Sequence, residues 1–147
     1  MKKDIFLVEL VNYYYYDETD HENVEDRHII GYFFDIDIMN QAIELCNDRK
    51  KESEQVVITK ESIDCNYNQK FVYVLCYEYS LFDGNNYTDY YYHFEPFSNY
   101  NKCMIQKDKL LNEQKYMNDG KKIFYDSMDG FYVDKILTDT IFYINYH

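Results

Sequence analysis

The chain is poor in several residue types that common functional sites require. Among 147 residues it has no tryptophan, one proline, four glycines and two arginines. So few glycines leave no glycine-rich phosphate-binding loop in the sequence. The 15 basic residues face 27 acidic ones, which gives a formal net charge of -12. Because binding to nucleic acid or anionic lipid needs clustered Lys and Arg, we expect no direct nucleic-acid partner and no membrane partner.

Long apolar runs are also missing. No stretch approaches the roughly 18 residues that a membrane-spanning helix needs. The run from Ile5 to Val11 is interrupted by Glu9, and tyrosines follow it where a signal peptide has small residues. No two cysteines form a CxxC pair, so we expect reduced, mostly buried thiols in a cytoplasmic protein. The four are Cys46, Cys65, Cys76 and Cys103.

Signatures of metal binding and catalysis are absent as well. His21 lies among acids and His93 lies two residues before Glu95, but neither has the ligand spacing of a zinc or calcium site. We therefore predict no metal site, no cofactor and no catalytic residue, and hence a protein that is not an enzyme. Cys76 and His93 are predicted to lie on neighbouring strands, where a buried thiol beside an exposed ring is the ordinary outcome. An enzyme that uses this pair is the remaining alternative, and thiol labelling tests it.

Tyrosine and carboxylate are what the chain has in excess. It contains 19 tyrosines, and Tyr13 to Tyr16 lead directly into residues 17–26, of which six are acidic. The codon usage of an AT-rich genome would explain part of the tyrosine excess, but it does not explain the excess of acids. Phenol rings provide rigid contact area with a polar tip, and carboxylates attract basic partners.

The order of elements predicts an α+β fold, an antiparallel sheet with two helices packed on one face, in a single domain of residues 1–147. Asp35 or Asp37 is the expected cap of the first helix, whose apolar stripe contains Ile38, Ala42, Ile43, Leu45 and Cys46. Strands are predicted over 4–16, 27–35, 56–58, 71–82, 87–94, 123–125, 130–137 and 141–146. Helices are predicted from 35, with a charged last turn and exit over 47–54, and over 108–117. The connections are predicted as an acidic tip over 17–26, a loop over 62–69, a turn over 83–86, a strand end at Glu95-Pro96 and a helix stop at 118–120.

Two segments carry a resemblance to a known domain. One is Gly31-Tyr32-Phe33 followed by Ala42-Ile43, and the other is Gly130-Phe131-Tyr132-Val133-Asp134, which continues to Asp139. Together they resemble a small uncharacterised α+β domain of bacteria and phages, in which a Gly-aromatic strand leads into an Ala-containing helix and a Gly-Phe-Tyr strand closes the unit. The resemblance supports the predicted fold and implies no catalytic residue.

These observations favour a binding protein. We expect a non-enzymatic inhibitor of immunity or phage anti-defence type, which occupies a basic, nucleic-acid-binding groove of a partner protein as a nucleic-acid mimic. The alternative is a protein that binds or sequesters a nucleotide-like small molecule. A homodimer through an edge strand at Tyr143–Tyr146 is a further expectation. The predicted partner-binding residues are Tyr13, Tyr15, Tyr16, Asp17, Glu18, Asp20, Glu22, Glu25, Tyr87, Asp89 and Tyr91.

Overall fold

A computed structural model describes residues 1–15, 23–82, 84–85, 87–113 and 130–142 of the chain. These residues contain two helices and two three-stranded antiparallel sheets, which confirms the α+β class. The chain divides into two compact units, Met1–Lys70 with Leu137–His147, and Phe71–Ile136. The single-domain organisation and the packing of both helices on one face stay predictions. No helix in the described ranges is long and apolar enough to cross a membrane.

The first unit is built on a sheet with the strand order β2-β1-β3, formed by β1 (Lys2–Tyr15), β2 (Asn23–Phe33) and β3 (Glu54–Asp64). β1 and β2 form the predicted antiparallel hairpin, although β2 begins four residues earlier than expected. Apolar side chains are fully buried on both faces of β1, as its nearly continuous apolar sequence predicts. They include Ile5, Val8, Leu10 and Val11.

Helix α1 (Ile36–Arg49) begins at the predicted cap. The Asp35 carboxylate accepts hydrogen bonds from the backbone N–H groups of Asp37 (2.9 Å) and Ile38 (3.3 Å). The helix buries Met39, Ala42 and Cys46 against β1 and β2. The predicted stripe is therefore correct at Ala42 and Cys46, whereas Leu45 is only half-buried.

A segment near the C-terminus lies along the outer edge of β2. The backbone N–H of Asp139 donates to the Tyr32 carbonyl (2.9 Å), and that of Phe142 donates to the Ile30 carbonyl (2.8 Å). The Asp139 carboxylate also accepts from the N–H groups of Phe34 and Asp35, each at 2.8 Å. Asp139 thus fixes the turn between β2 and α1. The two segments that carry the sequence resemblance, around Gly31 and up to Asp139, are therefore in contact.

The second unit contains β4 (Phe71–Phe82), β5 (Tyr87–Phe97) and β6 (Phe131–Leu137), in the order β5-β4-β6. β4 and β6 match their predicted positions to within one residue. The prediction that Glu95-Pro96 ends β5 is wrong, because the strand continues to Phe97. Pro96 lies opposite Val74, beside a register irregularity between Val74 and Cys76. A proline, which has no N–H to donate, is tolerated on an edge strand and at such an irregularity.

Helix α2 (Tyr100–Glu113) packs on this second sheet through Cys103 and Leu110, which contact Leu75. It begins eight residues before the predicted start, because the Asn99 side chain accepts a hydrogen bond from the Lys102 N–H at 3.0 Å and caps the first turn. The last predicted residues of this helix, 114–117, lie outside the described residues.

Three other predictions about elements have different outcomes. The predicted strand at 56–58 is confirmed but is longer than expected, since β3 runs for 11 residues, from Glu54 to Asp64, and the predicted loop over 62–69 therefore begins only at Cys65. Ile141 and Phe142 are not in a strand, although Phe142 is bonded to β2. The predicted helix stop at 118–120, the strand at 123–125 and the edge strand at Tyr143–Tyr146 lie outside the described residues.

Candidate functional site

The β1–β2 hairpin extends beyond the third strand of its sheet. β3 pairs with β1 from Lys2 to Asn12, whereas β1 and β2 continue to pair as far as Tyr15 and Asn23. Among the described strands, the end of this hairpin is therefore a two-stranded ribbon. We call it the first ribbon; it consists of residues 13–15 and 23–25, and Tyr13 lies opposite Glu25 in it.

The β4–β5 hairpin has the same property. Its strands pair up to Phe82 and Tyr87. On the other side of β4, the bond from the Glu78 N–H to the Gly130 carbonyl (2.9 Å) marks the start of β6. Residues 79–82 and 87–90 therefore pair only with each other among the described strands, and we call them the second ribbon.

Six of the eleven predicted partner-binding residues lie on or next to these ribbons. Tyr13, Tyr15 and Glu25 belong to the first ribbon by their backbone positions. Tyr87 and Asp89 belong to the second, and Tyr91 lies at its base opposite Glu78. The remaining predicted residues, in the segment that joins β1 to β2, lie outside the described residues. They are Tyr16, Asp17, Glu18, Asp20 and Glu22.

Both ribbons lie in parts of the sequence without cations to balance their acids. Residues 13–26 contain six Asp or Glu and no Lys or Arg. Residues 71–101, which include the second ribbon, contain four acids and again no Lys or Arg. Charges of one sign that are gathered on a projecting element produce a strong local potential. In this chain that potential is negative and attracts basic surfaces.

A polar cluster lies on β4 and β6. The Tyr132 hydroxyl donates to a Glu78 carboxylate oxygen at 2.9 Å. Burial, and then this hydrogen bond, raise the pKa of Tyr132 well above its ordinary value, so the phenol stays protonated and remains a donor. The Cys76 Sγ lies 3.9 Å from an Asp134 carboxylate oxygen and 3.6 Å from the Val74 carbonyl oxygen.

The predicted neighbourhood of Cys76 and His93 is confirmed, because the two residues face each other across β4 and β5. The Cys76 side chain is buried, with only 1% of the residue exposed. The other three cysteines are buried and free as well, as the sequence predicts. Burial, with a smaller contribution from nearby Cys76, raises the pKa of Cys103 to about 11, and burial also raises the pKa of Cys46. Cys46 and Cys103 are therefore neutral thiols at pH 7 and are poor nucleophiles.

Thiol labelling of the native protein should consequently be very slow. Because all four cysteines are buried, we expect a disulfide reagent at pH 7.5 to react at least about 100-fold more slowly with the native protein than with the urea-unfolded chain. Absorbance of the released chromophore measures both rates. Rapid native labelling that maps to Cys76 would instead favour the enzyme alternative.

A groove lies between the end of β5 and helix α2. Its volume is about 300 Å³, and one wall is a stripe of helix residues at spacings of three and four. It is lined by Glu95, Phe97, Lys102, Ile105, Gln106, Lys109 and Leu110. The sequence did not predict this groove, because its pattern favours a helix that begins at Asp108, whereas α2 begins at Tyr100. The helical spacing of Lys102, Gln106 and Lys109 was the sequence pattern from which this wall of the groove could have been predicted.

In the part of the chain that the structure describes, no group of three or more His, Cys, Asp or Glu residues could hold a metal ion. No protein-family model, curated protein or solved structure matches the chain. The resemblance to the small bacterial and phage domain therefore stays a prediction, and the function must be argued from the chain's own geometry and charge.

Proposed function

We propose that this chain is a non-enzymatic binding protein that blocks the basic, nucleic-acid-binding groove of a partner protein in the cytoplasm. The observation that carries the proposal is the pair of ribbons, each of which extends beyond the third strand of its sheet. Each ribbon contains three tyrosines and one carboxylate and lacks Lys and Arg, and residues 16–22, between the strands of the first ribbon, add four more acids. Inhibitors of the immunity or phage anti-defence type act in this way.

A projecting ribbon suits this task for physical reasons. In a two-stranded ribbon about half of the backbone groups bond between the strands, and the outward-facing groups of its two edges can pair with polar groups of a partner's groove. Carboxylates attract the cationic walls of the groove and replace phosphates there, which favours fast association. Tyrosine rings bury large area at a low cost in conformational entropy, and aromatic residues are frequent hot spots of interfaces.

Affinity capture from the native host tests the proposal. The full-length chain is immobilised at low salt, and the retained proteins are eluted with duplex DNA or with salt. We expect a basic nucleic-acid-binding protein to be retained and then released by either eluent, because both compete for the same cationic groove. Retention of no such protein, or retention that duplex DNA does not reverse, would contradict the proposal.

Two variants with the same net charge test whether the capture depends on the acidic residues of segment 17–22. In the loop-amide variant, Asp17, Glu18, Asp20 and Glu22 are changed to the corresponding amides, which removes four negative charges between the strands of the first ribbon. We expect this variant to lose the partner, since charged pairs across an interface couple by about 1.5 kcal/mol or more each.

The control-amide variant removes the same number of charges elsewhere. It changes Glu44, Asp48, Glu52 and Asp108, all of which are exposed residues outside both ribbons. Its formal net charge equals that of the loop-amide variant, so a general charge effect acts on both. We expect the control-amide variant to retain the partner.

A further inference from the structure

Three of the four outer edges of the described sheets carry a feature that opposes pairing with another strand. Proteins protect such edges by covering them, by shortening the strand, or with proline, bulges and charged side chains. The C-terminal segment covers β2 through the backbone bonds of Asp139 and Phe142. β5 contains Pro96 beside an irregular register, and β6 is only 7 residues long, with Asp134 and Lys135 at its centre.

The outer edge of β3 differs from the other three. The strand runs for 11 residues without proline or glycine, and it pairs with β1 without a register irregularity. Among the described strands, β3 has no neighbour on its other side. Its centre is the uncharged run from Val56 to Thr59, in which Ile58 is 47% exposed. A long, regular edge with an exposed apolar centre can pair with a strand of another chain.

The sequence of β3 favours a second copy of the same strand as the occupant of this edge. Two identical strands that pair antiparallel are related by a twofold axis perpendicular to the sheet. When that axis lies at Val57, this residue faces the same residue of the second copy, and Val56 faces Ile58. Apolar residues then lie opposite apolar residues on both faces of the sheet, which is a stabilising cross-strand arrangement.

The charged residues of β3 support the same register. In this register the backbone position of Lys60 lies opposite that of Glu54, so a base faces an acid. An axis at Thr59 would align the whole strand, but it would place Glu54 opposite Asp64. Because like charges that lie directly opposite destabilise a sheet, the register with the axis at Val57 is favoured.

Two further properties of β3 allow two acidic copies to approach each other here. Residues 54–60 contain one acid and one base, so this segment is neutral in a chain whose formal net charge is -12. Lys60 lies 3.5 Å from the Asp4 carboxylate, but the two side chains are 62% and 54% exposed, and such a surface ion pair is weak. The Lys60 ammonium can therefore also interact with acids of the second copy.

We propose that the chain forms a twofold dimer in which the β3 strands of two copies pair antiparallel about Val57. The two first sheets then become one sheet of six strands, in the order β2-β1-β3-β3-β1-β2, with α1 of both copies on the same face. This interface lies at a different edge from the segment Tyr143–Tyr146 that the sequence predicts. It uses neither ribbon, so it is independent of the partner-binding function.

Sedimentation velocity of the full-length chain tests the proposal. We expect a reversible monomer–dimer equilibrium with a Kd on the order of 10 µM, because a pairing of two strand edges is a small interface. Ile58→Lys should weaken the dimer at least about 30-fold, since each substitution occurs twice near the axis and two like charges then approach. Ile105→Lys is the matched control, because Ile105 is 69% exposed on α2 and the change in net charge is the same. We expect it to leave the Kd unchanged.

Cysteine cross-linking tests the register. The four native cysteines are buried, so they do not compete with an introduced thiol. Val57→Cys places two thiols opposite each other at the axis, and oxidised glutathione should convert this variant into a disulfide-linked dimer, seen on a non-reducing gel. In Thr59→Cys the two thiols would lie about 14 Å apart along the strands, so we expect no cross-link.

Circular dichroism establishes that all four variants are folded. A wild-type chain that stays monomeric up to about 200 µM, a concentration well above the expected Kd, would overturn the proposal. Equal weakening by Ile58→Lys and Ile105→Lys would overturn it too, since the dimer would then form elsewhere. A cross-link in Thr59→Cys but not in Val57→Cys would contradict the pairing about Val57.

Discussion

Replacing Arg27 by leucine should lower the free energy of unfolding by about 3 kcal/mol, because it removes the guanidinium that donates to the buried carboxylate of Glu9. Glu9 is 1% exposed, and the Arg27 guanidinium donates to its carboxylate at 3.2 Å. Leu7 and Val11, which flank Glu9 on the same face of β1, are also buried. An ionised carboxylate among such neighbours is costly unless it is paired. Urea unfolding followed by circular dichroism measures the change.

Two companion variants separate the ion pair from other effects. Adding Glu9→Leu to Arg27→Leu should restore stability to within about 1 kcal/mol of the wild type, since apolar residues often replace a buried pair without loss. Arg49→Leu, at the other arginine of the chain, should change stability by only about 0.5 kcal/mol, because Arg49 is exposed at the end of α1. If the double variant is as unstable as Arg27→Leu, the buried charge is not the cause.

Replacing Gly31 by alanine should cost about 3 kcal/mol, the upper range for overpacking a tight site. A Cβ atom at this position would lie 2.5 Å from the Thr140 carbonyl oxygen and 2.6 Å from the Phe33 ring. The first contact is with backbone, which cannot rotate away as a side chain would. The substitution should therefore push the C-terminal segment off the edge of β2 and weaken the bonds that Asp139 makes to the turn before α1. Thermal unfolding detects both the lower Tm and the loss of cooperativity.

Gly84→Ala provides the comparison. Gly84 lies in the β4–β5 turn with a φ of 101°, and no atom lies within 4 Å of the position a Cβ would take. Its substitution strains the backbone but creates no clash, so we expect a loss of about 1 kcal/mol. An effect of Gly31→Ala no larger than that of Gly84→Ala would contradict the role of close approach at β2.

The sequence predicted helices and strands best in segments where the local preferences of the residues and the burial of their side chains favour the same element. The hairpin of β4 and β5 follows from an aromatic and β-branched run, an Asp-Gly turn and a second such run. The Asp35 cap and the buried Ala42 and Cys46 follow from helix periodicity in the same way. In these segments the local preference and the tertiary environment favour the same structure.

Elements were missed where partners distant in sequence determine the structure. β3 reads as polar over Lys60 to Ser62, but pairing with β1 supplies its backbone hydrogen bonds. The start of α2 depends on the cap from Asn99 and on two widely spaced buried residues, Cys103 and Leu110, in a segment of mostly polar sequence. The division of the strands into two sheets likewise depends on long-range pairing, which composition does not reveal.

For the candidate site, the sequence shows where tyrosines and acids cluster but not where the fold places them. Clusters of tyrosine and acid at 13–26 and 87–91 are visible in the printed chain. That residues 13–15, 23–25 and 87–90 lie on ribbons extending beyond β3 and β6 depends on where those third strands end, which only the pairing register shows. The register of β4 and β5 places Cys76 opposite His93, as predicted. Cys76 is nevertheless too deeply buried to be an accessible thiol.

The most direct test of the central claim is the affinity of the captured partner for the two amide variants. Titration at several salt concentrations should show that the loop-amide variant binds at least about 100-fold more weakly than the wild type, whereas the control-amide variant stays within about threefold. The dependence of Kd on salt should also be shallower for the loop-amide variant, because fewer ion pairs remain to be screened. Equal affinities and equal salt dependence for the two variants would show that the acidic residues of segment 17–22 do not bind the partner.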